Sequence, residues 1–300
     1  MRHDSHCCPG MHQVFLSVGH DEYWSWRMRD NIEKARNRTN QPLNIGWFGA
    51  NDVHWQIRFE DSQLGGSYPE KRTIVAYKHL ATSEEDDWKD PKYIPPQDGG
   101  SVDNYLTTNH WRDNDNVALM GNACPTSVPN CFKMDEDELV GVMTKIEPAG
   151  ALTGRGDFSF LTACPAFVKR GVSNTAFPIY NLVGYEADEI FNMYTSSGSA
   201  HPRSFYRIGS SLLYQDGNPT LESTPSHAVY YELTGNGARV FAAGTVFWGW
   251  GVDPFGEPEG PNYSGPNFLE HPATYDTRVE KMSENILLCL RDGGLACNIE

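Results

Sequence analysis

Three ionisable side chains, His20, Asp21 and Glu22, stand together directly after a short apolar run that ends at Gly19. A carboxylate suits a hard metal ion as a ligand, and an imidazole two residues away can hold an activated water or carry its proton. An unperturbed imidazole titrates near ~6.5, so both of its forms are accessible around neutral pH. These residues are a candidate site, and metal-assisted hydrolysis is one chemistry that they could support.

The segments around this cluster predict a strand, a helix and a second strand. Residues 14–19 form a β-rich apolar run, and in the helix that follows Met28, Ile32 and Ala35 recur at spacings of four and three residues. A second apolar run at residues 43–49 completes a βαβ unit. Ligands of α/β sheets bind beyond the carboxyl ends of the strands, so the cluster lies where such folds place a site.

Three further polar residues follow predicted strands. Asn51 comes after the second strand, Lys78 ends an alternating run, and Glu186 follows an apolar run and a glycine. Asn51 and Lys78 are donor types that could steady a developing oxyanion, and Glu186 resembles Glu22 in its local setting. Each also has a purely structural interpretation: Asn51 could be a turn residue, Lys78 a solvated strand end and Glu186 a surface carboxylate. The cluster at residues 20–22 could likewise simply start a helix.

The C-terminal part predicts strands, a hairpin and a final helix. The predicted strands cover residues 204–209, 227–233 and 239–251, and a turn at 234–238 joins the last two as a hairpin. Thr277 and Glu280 have the spacing of a capping box that opens the helix, and Gly293 ends it. The acidic stretch 82–150, interrupted by Pro and Gly, predicts long surface loops or an insertion.

Composition restricts the function classes. The chain has 300 residues, and 39% of them are hydrophobic, which is enough to bury a substantial core. The formal net charge of −15 argues against a nucleic-acid partner, which needs a basic surface. No run reaches the ~18 apolar residues of a membrane span, and the first residues lack the apolar region of a signal peptide. We therefore expect a soluble protein with no membrane contact, and the compartment stays open.

The cysteines predict little chemistry. There are seven of them, and Cys124 and Cys131 are the pair in a loop-like context that could close a small disulfide. At least one thiol must stay unpaired within the chain, because the number is odd. Cys164 precedes a proline, and the chain has no Gly-x-Cys-x-Gly elbow, so we set aside a thiol acyl-enzyme mechanism. The aromatic residues at 247–250 favour core packing over a sugar-stacking platform.

Five separated motifs carry a resemblance to a known family. They lie at residues 17–24, 48–59, 72–78, 183–186 and 241–251. In this order they resemble the C-terminal domain of N,N-dimethylformamidase large (beta) subunits, from about residue 14 to the end of the chain. The resemblance implies an α/β fold akin to class I glutamine amidotransferases, a layered sheet with helices on its faces, together with a β-rich C-terminal part and long loops. We expect a poorly ordered segment at 1–13 and a single domain over 14–300, with 82–150 as its loop-rich insertion.

The resemblance also implies a mononuclear iron that hydrolyses the C–N bond of a small amide. The family holds its metal with one glutamate and two tyrosines. Glu22 matches the glutamate ligand, His20 the nearby histidine, and Asn51, Lys78 and Glu186 match residues that line the pocket. Water would be activated by the metal on Glu22, with His20 assisting.

One departure leaves alternatives open. The family's tyrosine ligands lie upstream of the Gly-His-Asp-Glu motif, and none of the nineteen residues before His20 is a tyrosine. Either the chain is a shortened form, or another polypeptide supplies the ligands, or the metal site is incomplete. The partners expected are a small amide substrate and either a second copy of the chain or a companion subunit. The alternative function is a catalytically silent relative that binds carbohydrate or another protein.

Overall fold

The computed structural model contains many strands and few helices, which confirms the mixed α/β class. The structure describes residues 12–62, 70–81, 89–92, 106–111, 135–144, 155–184, 186–190, 203–214, 223–253 and 275–298. The chain groups into two compact units, the first drawn from residues 1–21, 34–52 and 140–300 and the second from 22–33 and 53–139. The amidotransferase-like layering and the single domain over 14–300 stay predictions.

Among the described residues there are twelve strands and four α-helices. The strands are β1 Val14–Val18, β2 Tyr23–Ser25, β3 Asn44–Phe48, β4 Trp55–Glu60, β5 Thr73–Val75, β6 Met143–Thr144, β7 Arg155–Phe160, β8 Ile179–Gly184, β9 Asp188–Glu189, β10 Arg203–Tyr214, β11 Ser223–Leu233 and β12 Arg239–Ala242. The helices are α1 Trp26–Arg36, α2 Asp137–Val140, α3 Trp248–Val252 and α4 Thr277–Asp292. No described helix has the length and apolar character needed to cross a membrane.

The first unit is built on a seven-stranded sheet of described strands in the order β1-β3-β12-β11-β10-β7-β8. β1 and β3 are parallel, with Phe15 opposite Ile45, and β12 also runs parallel to β3. All five residues of β3 are buried, as expected for a parallel strand covered on both faces. The parallel β1–β3 pair with α1 between the two strands in the chain confirms the predicted βαβ order.

The C-terminal part of the sheet follows the predicted hairpin, with one correction. β11 and β12 pair antiparallel across the turn, as predicted. The strand predicted through residue 251 is wrong, because the chain turns into α3 at Trp248. Thr245 Oγ1 accepts a hydrogen bond from the Phe247 N–H at 3.2 Å, which bends the chain. Phe247 and Trp248 are fully buried, as predicted for the aromatic residues at 247–250, but the prediction is wrong for Trp250, which is 38% exposed.

Helix α4 packs on the core of the first unit through its apolar side chains. Its buried apolar residues are Val279, Met282, Ile286, Cys289 and Leu290. The N-cap is Asp276 rather than Thr277, because the Asp276 carboxylate accepts the Arg278 N–H at 2.8 Å. Gly293 ends the helix in the left-handed region, as predicted, with φ 63°.

The cysteines follow a pattern that the sequence did not reveal. A disulfide joins Cys289 in α4 to Cys297 in the following 3₁₀ turn. Cys124 and Cys131 lie outside the described residues. Cys164 is a buried free thiol, and burial raises its pKa to about 12. A thiol of this kind is a poor nucleophile, in agreement with the mechanism set aside above.

The second unit contains the three-stranded sheet β2-β4-β5. β2 pairs parallel with β4, and β5 pairs antiparallel with β4. The buried Arg58 of β4 donates to both carboxylate oxygens of the buried Asp90, at 2.8 and 2.7 Å. Asp90 also accepts the Thr108 N–H at 2.9 Å, so this ion pair ties two loop segments to the sheet. The strand predicted to reach Lys78 is shorter, because Lys78 opens a 3₁₀ turn that ends at Leu80.

Helix α1 corrects the predicted buried face. Ala35 is buried, as its spacing indicated, but Met28 is 38% exposed and Arg29 is fully buried. The Arg29 guanidinium donates to the Asp135 carbonyl at 2.9 Å and lies 4.9 Å from the centroid of the Trp111 ring. These contacts satisfy the buried charge, so an arginine occupies a position that spacing alone assigns to solvent.

Candidate functional site

The five predicted site residues fall in both compact units. His20, Asn51 and Glu186 belong to the first unit, and Glu22 and Lys78 belong to the second.

The turn that carries His20 begins where β1 and β3 end side by side. The Gly19 N–H donates to the Phe48 carbonyl at 3.1 Å, and Gly19 has a left-handed φ of 92°. A Cβ atom on Gly49 would lie 2.0 Å from the Gly19 carbonyl oxygen, so only glycine fits at position 49. The close contact fixes the start of the turn, and the next side chain is His20.

Within the first unit, the structure brings His20 and Glu186 together. The His20 Nε2 atom lies 2.7 Å from the Glu186 Oε2 atom, and the two side chains are 37% and 22% exposed. Glu186 is fixed through its backbone, because its carbonyl accepts the Val246 N–H at 3.3 Å and Ala187 forms a β-bridge with Thr245. The sequence predicted both residues separately, and the fold makes them an imidazole–carboxylate pair that remains open to solvent.

Asn51 lies beside a carboxylate that sequence reasoning missed. Its backbone N–H donates to both carboxylate oxygens of Asp188, at 2.9 and 3.1 Å, and the Thr144 hydroxyl donates to the same group at 2.5 Å. Asn51 is buried and has a φ of 57°, in the left-handed region that asparagine tolerates. The signal for Asp188 was its position two residues after Glu186.

A second missed residue is Asp52, which is only 3% exposed. Among the described residues, neither of its carboxylate oxygens has a hydrogen-bond partner. Burial raises the pKa of Asp52 well above its usual range, and the negative charges of Asp188, Asp21 and Glu186 raise it further. The environment therefore favours the neutral form of the Asp52 side chain. The only signal for Asp52 in the sequence was its position next to Asn51.

His227 is a neutral base in the same unit. Burial, with a contribution from the Arg207 charge, lowers the pKa of His227 to about 4. Its Nδ1 atom accepts the Ile190 N–H at 3.3 Å, which requires an unprotonated nitrogen. His227 thus supports the segment that follows Asp188 and does not act as an acid near neutral pH.

In the second unit, Lys78 is hydrogen-bonded to Tyr23, the residue after Glu22. The Lys78 Nζ atom donates to the Tyr23 hydroxyl at 2.7 Å. The ammonium group lies 5.0 and 5.2 Å from the ring centroids of Tyr23 and Trp55. Glu22 is 6% exposed, and its backbone carbonyl accepts the Trp55 N–H at 2.8 Å. Burial is the main cause of the raised pKa of Tyr23.

A buried histidine pair lies close by in the second unit. The His54 Nδ1 atom is 3.2 Å from the Glu136 Oε1 atom, and both side chains are almost fully buried. The His110 ring stacks on Trp55 with centroids 4.0 Å apart and meets the edge of His54 at 4.6 Å. These contacts pack the second unit around β4, and the sequence offered no signal for them beyond a polar, aromatic segment.

The donor type of Glu22 fits an iron ion. Its carboxylate offers oxygen ligands, which iron accepts, and the residue is only 6% exposed.

Comparison with known proteins agrees with the motifs. A search of curated proteins finds no significant match to the chain. The model of a protein family, described as N,N-dimethylformamidase beta subunit-like, C-terminal, matches residues 2–264. This match covers most of the 300 residues and includes every predicted site residue. The chain therefore belongs to the N,N-dimethylformamidase beta subunit-like, C-terminal family.

Proposed function

We propose that this protein hydrolyses the C–N bond of a small amide. The observation that carries the proposal is the solvent-accessible His20–Glu186 pair, with 2.7 Å between Nε2 and Oε2, in a domain of the dimethylformamidase-like family. An imidazole oriented by a carboxylate is a common general base in hydrolysis. The amidotransferase-like layering of the fold belongs to the same proposal.

His20 supplies the proton transfer in this scheme. A neutral imidazole carries one proton, and in the tautomer with that proton on Nε2, the atom that faces Glu186 Oε2 at 2.7 Å, the Nδ1 atom is the acceptor. Nδ1 can then take the proton of the attacking water and later return it to the leaving amine. The negative charge of Glu186 favours this tautomer and stabilises the imidazolium that forms.

Glu22 is the proposed metal ligand. When bound, iron would supply a polarised amide carbonyl and a water of lowered pKa. The carboxylate of Glu22 would hold the ion, and we infer that further ligands come from elsewhere in the chain or from a second copy of it, so that the purified protein binds iron without another subunit. Asn51 and Lys78 are proposed to donate to the oxyanion that develops on the amide oxygen.

The first test is the iron content of the purified chain. We expect near-stoichiometric iron by elemental analysis in the wild type, its loss in Glu22→Ala, and its retention in Glu284→Ala, which removes an exposed carboxylate from α4. Release of dimethylamine from N,N-dimethylformamide provides the activity readout for the same three proteins. A wild-type chain that holds no iron, even when iron is supplied during folding, would contradict the metal-dependent hydrolase and favour the silent binding module.

A second test isolates the role of the histidine pair. His20→Gln removes the titrating base but keeps a hydrogen-bonding side chain, and we expect hydrolysis to fall by about 10²–10⁴-fold while iron remains bound. Glu186→Gln should reduce activity less, because the imidazole stays in place but loses its oriented charge partner. Equal activity in His20→Gln and the wild type would contradict the assigned base.

A further inference from the structure

We propose that the exposed groove between strand β1 and helix α4 binds a second copy of the chain, in a two-fold symmetric dimer whose two α4 helices pack antiparallel. The groove is apolar along its centre and carries one acidic and one basic side chain of α4. Both elements belong to the first unit. The dimer does not depend on the proposed hydrolase activity.

The groove lies on the face of the sheet that α4 covers. Val14, Leu16 and Val18 point to one face of β1, because side chains alternate along a strand. A Cβ atom on Gly46 of β3 would lie 2.9 Å from Leu16 and 3.2 Å from Leu290, so this is the face on which the helix packs. Leu16 and Val18 are nevertheless 45% and 70% exposed. The apolar side of β1 is therefore open to solvent beside the helix.

Helix α4 supplies the other wall of the groove. The space between the two elements has a volume of about 540 Å³, and Leu287 and Leu288 line it together with Val14 and Leu16. Leu287 is 38% exposed. Adjacent exposed apolar residues of this kind, unlike one isolated leucine, are typical of a protein–protein interaction site.

The charges on α4 make this surface complementary to itself. Glu284 and Arg291 also line the groove, and they are seven residues apart, which is about 10.5 Å or two turns along the helix. The midpoint between them falls between Leu287 and Leu288. A two-fold axis at this midpoint places Glu284 of each copy opposite Arg291 of the other and brings the leucines together at the centre. This is the symmetry that a contact between two identical copies requires.

Both charged groups can take part in such a contact. Glu284 is paired with Lys281 at 2.6 Å and Arg291 with Asp292 at 2.6 Å, yet the side chains of Glu284 and Arg291 remain 56% and 62% exposed. A carboxylate and a guanidinium each have more hydrogen-bonding positions than one ion pair uses. Exposed ion pairs also contribute little to stability, so the local pairs do not oppose the contact with a second copy.

The test is sedimentation velocity of the full chain over a series of protein concentrations. We expect the wild type to dimerise reversibly. Glu284→Arg and Arg291→Glu should each raise the Kd of the dimer about 10–100-fold, because each change places like charges opposite one another twice in the symmetric contact. The double variant with both changes should recover most of the affinity, since opposite charges face each other again.

The apolar centre is tested with a matched pair of leucines. Leu287→Ser should weaken the dimer, whereas Leu212→Ser, at an exposed leucine of β10, should dimerise as the wild type does. Glu284→Ala removes a carboxylate without adding repulsion, so this variant should still dimerise, with a smaller rise in Kd than Glu284→Arg. The unfolding midpoint of each variant shows whether it is folded.

Mixing the two charge variants tests the pairing of Glu284 with Arg291 directly. Each variant alone has like charges across the contact, but a mixed dimer of Glu284→Arg with Arg291→Glu has opposite charges at both contacts. We therefore expect two proteins that are weak dimers alone to associate with near wild-type affinity, and a fluorescent label on one of them identifies the mixed dimer. Association also shows that both variants keep the surface of α4 intact.

Three results would overturn the inference. A wild-type chain that sediments as a monomer through the micromolar and millimolar range would refute the dimer. A dimer with the same Kd in the wild type, Glu284→Arg and Leu287→Ser would mean that another surface forms the contact. Failure of the two folded charge variants to associate when mixed would refute the antiparallel pairing.

Discussion

Replacement of Asp52 by asparagine should raise stability at neutral pH, and the gain should grow as the pH rises. The side chain is 3% exposed, and its raised pKa follows from burial and from three nearby carboxylates. In the unfolded chain the same group titrates near ~3.9. Asparagine has almost the same shape as aspartate and does not titrate, so the difference in stability between the wild type and Asp52→Asn changes with pH only through the titration of Asp52.

The sign follows from proton counting. Below about pH 3.9 Asp52 is protonated in both states, and the two proteins differ by a constant offset. Above that pH the unfolded chain loses the proton while the folded protein keeps it, so the folded state binds more protons. The wild-type free energy of unfolding then falls relative to Asp52→Asn, by up to about 1.4 kcal/mol for each pH unit, until the raised pKa is passed. The limit of about 1.4 kcal/mol for each pH unit corresponds to one proton, because only the Asp52 side chain differs in titration between the two proteins.

The assay is urea denaturation of both proteins at half-unit steps from pH 4 to pH 8. Equal denaturant slopes at each pH are required, since they show that the unfolded states are comparable. Asp253→Asn removes an exposed aspartate of the first unit and serves as the control, with a nearly constant difference from the wild type. A difference between Asp52→Asn and the wild type that stays constant or shrinks as the pH rises would refute the reasoning.

Three further predictions concern the framework of the two units. The pKa of His227 is about 4 in the folded protein and 6.5 in a free chain, so the free energy of unfolding should fall as the pH drops from about 6.5 towards 4. His227→Asn, which keeps a hydrogen-bond acceptor, should make the free energy of unfolding depend less on pH in this range, as measured by urea denaturation. An unchanged pH dependence in this variant would contradict the prediction. Gly49→Ala should lower the free energy of unfolding by about 1–3 kcal/mol or more, since its Cβ atom would lie 2.0 Å from the Gly19 carbonyl oxygen. An unfolding midpoint equal to that of the wild type would show that the turn can move to accommodate the added atom without loss of stability. Arg58→Met should lower the free energy of unfolding by about 3–5 kcal/mol, because it leaves Asp90 charged and buried. Adding Asp90→Leu should recover much of that stability in the same denaturation assay. No recovery would mean that the loss of stability is not electrostatic.

Much of the fold could be predicted because its signals are local. The βαβ order at the start of the chain came from an apolar run, a helical period and a second apolar run, and β1 and β3 are indeed parallel. The turn at 234–238 marked the β11–β12 hairpin, and α4 follows its period from Thr277 to Asp292. Each of these signals lies within about twenty residues of the element it predicts.

The failures have tertiary causes. Arg29 is buried because the carbonyl of Asp135, 106 residues away, accepts from its guanidinium, and no local pattern can show that partner. The Cys289–Cys297 disulfide joins a helix to the turn after it, whereas the sequence analysis considered a disulfide only between two cysteines in a loop. In both cases the deciding contact requires the folded chain.

The candidate site shows the same division between residue type and environment. The sequence identified His20 and Glu186 as candidates, but their 2.7 Å contact depends on the fold, since 166 positions separate them. Asp52 and Asp188 are the same residue type in one unit, yet Asp188 accepts hydrogen bonds from the Asn51 N–H and the Thr144 hydroxyl, whereas the described residues offer Asp52 none. Donors stabilise a negative charge on Asp188, and their absence favours a proton on Asp52. Two carboxyl groups can therefore differ in charge beside the His20–Glu186 pair, which limits the negative charge that the imidazole meets.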